Sequence, residues 1–395
     1  MKYISEFRDG ALAAGLAEAI AREVEPGRDY AFMEFCGGHT HAISRYGVAD
    51  LLPARVRLIH GPGCPVCVLP VGRVDMAIRL ALARPELILC TYADCLRVPA
   101  SDGLSLLKAK ARGADVRMVY SAADALALAR REPTREVVFF AIGFETTTPP
   151  TALVIRQAAT EQLRNFSVIC NHVLTPPAID ALLSAAPAGE TRRPRLDGIL
   201  GPAHVSVVIG SAPYEFAARR HHTPVVITGF EPLDVLQAVR MLVGQVNAGR
   251  AEVENEYTRA VTAEGNRKAQ ALMDAVFERR ARFAWRGLGE LSASALRIRP
   301  AFAAWDAEAK FALEDRPVPD HKACECAAIL CGAKGPTDCK LFGTVCTPET
   351  PLGACMVSSE GACAAHYNYG RFRDPVVAPA AAPMPAPIAT AKAAP

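Results

Sequence analysis

At 395 residues and 42.1 kDa the chain is long for one ordinary domain, and a composition 51% hydrophobic and 22% charged excludes global disorder. Forty-four Lys and Arg against 41 Asp and Glu leave a formal charge of +3, which is no electrostatic footprint for nucleic acid. No apolar run approaches the roughly 20 residues of a spanning helix, so no membrane partner is expected either.

Residues 1–29 predict an N-terminal helix that packs on the C-terminal domain. They meet acidic residues at once and carry no apolar core ahead of a cleavage site, so they read as a mature cytoplasmic start. From about residue 30 to 230 short runs rich in Val, Ile and Leu alternate with helix-length segments. Strands are predicted over 31–35, 56–60, 87–91, 116–120, 137–142, 166–170, 196–200 and 225–228, with helices over 74–83, 103–112, 122–130 and 150–163. The runs do not alternate polar with apolar, as suits parallel strands buried on both faces. This is the rhythm of an open parallel α/β sheet.

Two echoes favour two related α/β lobes, over 30–145 and 146–231. GPG at 61–63 resembles GPA at 201–203, and GFE recurs at 143–145 and 229–231. The spacing is not a strict repeat: 82 residues separate Gly61 from Gly143, and 28 separate Gly201 from Gly229. Residues 232–284 lack strand signals and read as helical, opening a cysteine-rich domain over 232–374. The Ala/Pro-rich stretch 375–395 cannot bury enough surface to offset its ordering entropy and is expected to be disordered.

Chemistry-bearing residues gather at predicted strand ends, where open α/β sheets bind ligands. Cys36 follows the first strand in Cys36-Gly37-Gly38-His39-Thr40-His41; the two glycines let backbone N–H groups approach an anion. The alternative is a buried cysteine beside a turn. Cys64 and Cys67 form a C-x-x-C between a Gly-Pro-Gly turn and a predicted helix, a setting that lowers thiol pKa values and serves dithiol redox or metal binding. The stretch 91–99 carries Asp94 and Arg97, Glu145 lies in GFETTTP, and His204 lies in GPAHVS. Each alone is more often turn or capping chemistry, with Thr148 before Pro149 expected as an N-cap. Cys90 and Cys170 read as packing residues. No G-x-G-x-x-G or G-x4-G-K-[ST] string is present, which argues against a nucleotide-binding synthetase.

Seven of 13 cysteines (Cys324, Cys326, Cys331, Cys339, Cys346, Cys355 and Cys363) fall within 40 residues. Clustered thiols in a large chain without a signal peptide point to metal or redox chemistry rather than a secreted disulfide scaffold. Paired C-x2-4-C zinc hooks are missing, and wide irregular spacing favours a 4Fe–4S cluster over zinc, inert thiols or disulfides. His321 and His366 flank the run and read as surface or satisfied histidines.

Together these strings resemble the HypD family of nickel–iron hydrogenase maturation proteins, through CGGHTHAI (36–43), GPGCPVC (61–67), GFETTTP (143–149), GPAHVS (201–206) and the stretch 339–372. The resemblance implies a scaffold with redox activity, rather than an ordinary turnover enzyme, on which an Fe(CN)2CO unit is assembled. A HypC-type small chaperone would be its partner and a HypE-type protein its cyanide donor, with the hydrogenase large subunit as the eventual recipient. It makes Cys36 the iron-holding thiolate, in a helix-N-terminal setting expected to lower its pKa. Cys64 and Cys67 become a redox dithiol or iron ligands, and His39 and His41 line the site with Glu145 and His204. The cluster ligands fall among Cys324, Cys326, Cys339, Cys346, Cys355 and Cys363. Ala93 and Ala100 stand where glycines are expected, Cys95 where an apolar residue is commoner, and Cys331 looks additional. Cys95 and Cys331 are therefore left out of the ligand set. A thiol–disulfide reductase is the rival reading.

Overall fold

A computed structural model describes residues 5–184 and 194–370, so the Ala/Pro stretch 375–395 lies outside the described residues. Nine strands make two parallel sheets. One holds β1 (Tyr30–Glu34), β2 (Val56–His60), β7 (Gly198–Pro202), β8 (Val225–Thr228) and β9 (Val253–Asn255), in the order β2-β1-β7-β8-β9. The other holds β3 (Ile88–Thr91), β4 (Asp115–Met118), β5 (Val137–Gly143) and β6 (Phe166–His172), in the order β4-β3-β5-β6. Every residue of β1, β5, β6 and β7 is buried, which explains why these segments are mainly apolar and do not alternate with polar residues.

The α/β class is as expected, but a division at residue 145 does not separate the sheets. β1 pairs with β7 (Phe32 opposite Gly198), so the chain leaves the first sheet after β2, builds all of β3–β6, and returns. The echo of GPG and GPA therefore marks two strands flanking β1 in one sheet. Strand hydrophobicity reports burial and carries no address for the pairing partner, which is why the interleaving was not legible.

The region expected to be helical from 232 does contain Pro232–Asn247 and Arg267–Val276. It also contains β9 and two antiparallel ribbons, β10 (Phe277–Arg279) with β13 (Leu296–Ile298) and β11 (Arg282–Trp285) with β12 (Gly289–Ser292). These strands are three or four residues long and rich in Arg and Glu; Phe283 and Trp285 in β11, and Leu296 and Ile298 in β13, alternate inward against exposed neighbours. The N-terminal helix Gly10–Glu23 packs on Pro232–Asn247, a helix that itself covers β7 and β8. Arg8 and Arg240 pair across this contact with Glu231 and Glu23.

The cysteine-rich segment docks on both N-terminal thiol motifs. Its helix Ala362–Tyr369 lies on the helix Gly37–Tyr46, and the turn Ala354–Met356 and the helix Cys326–Leu330 lie on the short helix Pro65–Val68. Arg97 holds the segment from the other sheet, donating to the carbonyls of Pro348 (2.8 Å) and Val357 (3.0 Å). Among the described residues no helix is long and apolar enough to cross a membrane.

Candidate functional site

β1 and β2 run parallel with Glu34 opposite His60, so the motifs that follow them emerge side by side. Cys36 stands in extended conformation at the N-cap of Gly37–Tyr46, and Cys64 occupies the same position before Pro65–Val68. The two turns are tied by backbone bonds, Gly61 N–H to Glu34 O (3.0 Å) and Gly37 N–H to Gly63 O (3.2 Å). A Cβ on Gly63 would overlap the Cys36 backbone nitrogen, so only glycine permits this approach. Beneath them lies the fully buried Glu34. Its Oε2 accepts the Cys36 N–H (2.9 Å), and its Oε1 accepts from the Thr40 hydroxyl and lies 2.9 Å from His60 Nδ1.

Cys36 and Cys64 open onto a cleft of about 460 Å³ between the strand ends of the two sheets. Cys95, Asp94, Tyr120, Thr146, Thr147, His204 and Glu360 also line it. The N–H groups of Gly38 and His39 point at the Cys36 sulfur and favour its thiolate, as the helix-terminal position suggested. Burial outweighs them, reinforced by the charges of Glu360 and Glu34, and the Cys36 thiol is pushed up rather than down. This corrects the expectation from sequence that the helix-terminal position would lower it.

Behind the cleft the thiols touch in a chain. Cys67, fully buried, contacts both Cys64 and Cys355, and those thiol contacts together with burial push its pKa well up. Cys355 accepts from the thiols of Cys326 and Cys67, which lowers it to about 6 despite its burial. Cys326 further contacts Cys324 and Cys363, and Cys346 lies in the same electrostatic neighbourhood. Gly353 makes room for this nest: a Cβ there would sit 2.5 Å from the sulfurs of both Cys324 and Cys326. Cys346 Sγ instead receives the Leu352 N–H at 3.3 Å. Cys339 is buried in the same core as Cys326 and Cys355. No three His, Cys, Asp or Glu side chains among the described residues are set to hold a single metal ion.

The remaining predicted residues divide. His204 faces the cleft and stacks on Phe230 at 3.9 Å, and Phe230 stacks in turn on His39 at 4.7 Å. His39 is buried one layer back, its Nε2–H donating to the carbonyls of Thr228 (3.1 Å) and Gly229 (3.0 Å) while Nδ1 has no partner among the described residues. Burial lowers its pKa, so the ring is neutral. His41 does not line the cleft; its ring stands edge-on to Tyr369 at 5.2 Å. Glu145 also faces away. It accepts the N–H and hydroxyl of Thr175 (both 2.9 Å) and borders a second cavity of about 610 Å³, and burial raises it to about 7. Thr148 is inside its helix rather than capping it, and its hydroxyl donates to Phe144 O at 3.0 Å.

Cys90 and Cys170 are buried within β3 and β6, and Cys331 donates to Gly287 O at 2.8 Å. His321 Nδ1 accepts the Ala323 N–H, and His366 packs on Phe342. Three participants were missed. Cys95, left out as a departure, lines the cleft beside Cys64. Glu34 had a usable signal, an acid within an otherwise apolar strand, which demands buried partners. Arg286 had none, because the turn it holds, at Leu69, lies 217 residues away.

The model of the family described as "HypD: Hydrogenase formation hypA family" matches residues 11–370. The chain belongs to the HypD family. Relatives include the hydrogenase maturation factor HypD of Cupriavidus necator, 66% identical over 379 residues (96% of this chain, 100% of that protein). The hydrogenase expression/formation protein HupD of Azotobacter chroococcum is 67% identical over 377 residues (95% and 99%). The hydrogenase maturation factor HypD of Escherichia coli is 46% identical over 374 residues (93% and 98%). In this member of the HypD family the motif residues Cys36, Cys64 and His204 meet in one cleft, with Cys67 and His39 directly behind it.

Proposed function

We propose that the chain acts in hydrogenase maturation as the scaffold on which the Fe(CN)2CO unit of nickel–iron hydrogenases is assembled. The iron is cargo, held by the Cys36 sulfur with Cys64 and Cys67 within reach. A HypC-type chaperone supplies a further ligand, and a HypE-type protein delivers cyanide as a thiocyanate-type adduct. The reading is supported chiefly by one observation: Cys36 shares a cleft with Cys64, whose partner Cys67 touches the C-terminal thiols.

Three features of the chain serve this role. The N–H groups of Gly38 and His39, aimed at the Cys36 sulfur, favour the thiolate once iron takes the proton's place. The Cys64/Cys67 dithiol can oxidise to a disulfide, releasing two electrons and two protons. Cleaving the S–C bond of a thiocyanate to thiolate and cyanide takes up that pair of electrons. His204, exposed at the cleft, is placed to carry a proton.

The C-terminal nest fits a 4Fe–4S cluster, because soft sulfur donors crowd there around a glycine that leaves them room. Cys324, Cys326, Cys339, Cys346, Cys355 and Cys363 are the residues from which its four ligands would come. When bound, such a group supplies electrons one at a time.

The thiol chain equally suits a thiol–disulfide reductase, and Cys36 separates the two readings. Infrared spectroscopy of oxygen-free protein purified with its small chaperone should show iron-bound cyanide and carbon monoxide bands that vanish in Cys36→Ala. Persistence of the bands in that variant refutes the role of Cys36. Their absence from wild-type protein with an intact cluster favours the reductase.

A further inference from the structure

The loop between β11 and β12 places Arg286 in the interior, with only 4% of its side chain accessible. A buried guanidinium is costly unless its donors are met. Nη1 pairs with Asp320, and Nη2 donates to Leu69 O at 2.9 Å. The backbone N–H of Arg286 donates to Val68 O at 2.8 Å. These last two bonds hold the C-terminal end of the helix that carries Cys67. Nε is buried with no partner among the described residues, and such an orphan N–H calls for an explanation.

We propose that Arg286 is a positioning residue of the thiol path: it clamps the end of the Cys64–Cys67 turn against the C-terminal cysteines and keeps its Nε–H for the anionic, sulfur-rich group those cysteines hold. This rests on the reading of the C-terminal nest as an iron–sulphur site. The guanidinium charge lies within electrostatic reach of both Cys355 and Cys324. Reduction adds negative charge to such a group, so a fixed cation and an N–H donor beside it favour the reduced state. Asp320 offsets part of that charge from the far side, and 29% of its side chain is accessible.

The test is a dithionite redox titration of the full chain, purified without oxygen and followed by visible absorbance and electron paramagnetic resonance. Arg286→Gln should shift the equilibrium toward the oxidised cluster at least tenfold, about 59 mV lower for a one-electron couple. Arg286→Lys, which keeps charge without the planar fork, should fall between. Asp320→Asn should move the potential upward. General loosening of the fold would shift the Arg286 and Asp320 variants the same way, so opposite signs identify the effect. Unmoved potentials, or shifts of one sign, overturn the proposal. If Arg286→Gln does not fold, the lysine and Asp320 variants carry the same test. Wild-type protein without an iron–sulphur signal refutes the underlying reading first, and the proposal falls with it.

Discussion

Replacing Glu34 by alanine removes the acceptor on which the Cys36 turn is built. The Cys36 N–H would be left buried and unpaired, which costs about 1–3 kcal/mol. Thr40 loses less, since its hydroxyl already lies 3.5 Å from Cys36 O. His60 is half-buried and can turn toward water, so losing its bond costs about 1 kcal/mol. Relief from burying a carboxylate works in the opposite direction. The net expectation for Glu34→Ala is a destabilisation of about 2–4 kcal/mol, read as a lower urea midpoint at unchanged slope. Glu34→Gln keeps the volume and one acceptor and should cost about half as much. Because the damage centres on the backbone of residue 36, Cys36 should also react faster with iodoacetamide in both variants. A midpoint change within the ±0.5 kcal/mol of ordinary surface substitutions would refute this account.

Gly63→Ala should destabilise by about 1–3 kcal/mol and displace Cys36, whereas Gly10→Ala, where a Cβ meets nothing, should be neutral or mildly stabilising; melting temperatures compare them directly. Glu145 is raised from 4.5 to about 7 in the fold, so between those values the native state holds a proton that the unfolded chain has lost. Stability should therefore fall as pH rises through that window, by up to about 3 kcal/mol. Urea unfolding of Glu145→Gln at pH 5 and pH 8 should lose that component of the slope, and an unchanged slope would contradict it.

The amino-acid sequence by itself determined the class of the fold and which strings carry chemistry. A strand such as β5 announces itself as an unbroken apolar run because both its faces are covered. Glycine turns at strand ends mark Cys36 and Cys64 because such an approach excludes a Cβ. Belonging to the HypD family is written in the same strings. Tertiary structure alone decided the rest. It placed β7 beside β1 and so interleaved the two sheets, since apolar character reports burial and not the identity of a partner. It turned His41 toward Tyr369 and Glu145 toward Thr175, because a motif sets spacing along the chain while the direction of a side chain follows from what packs on it. It brought Cys67 against Cys355, 288 positions away, and set Arg286 behind both. Contacts of that range depend on how whole elements dock, and no local pattern encodes them.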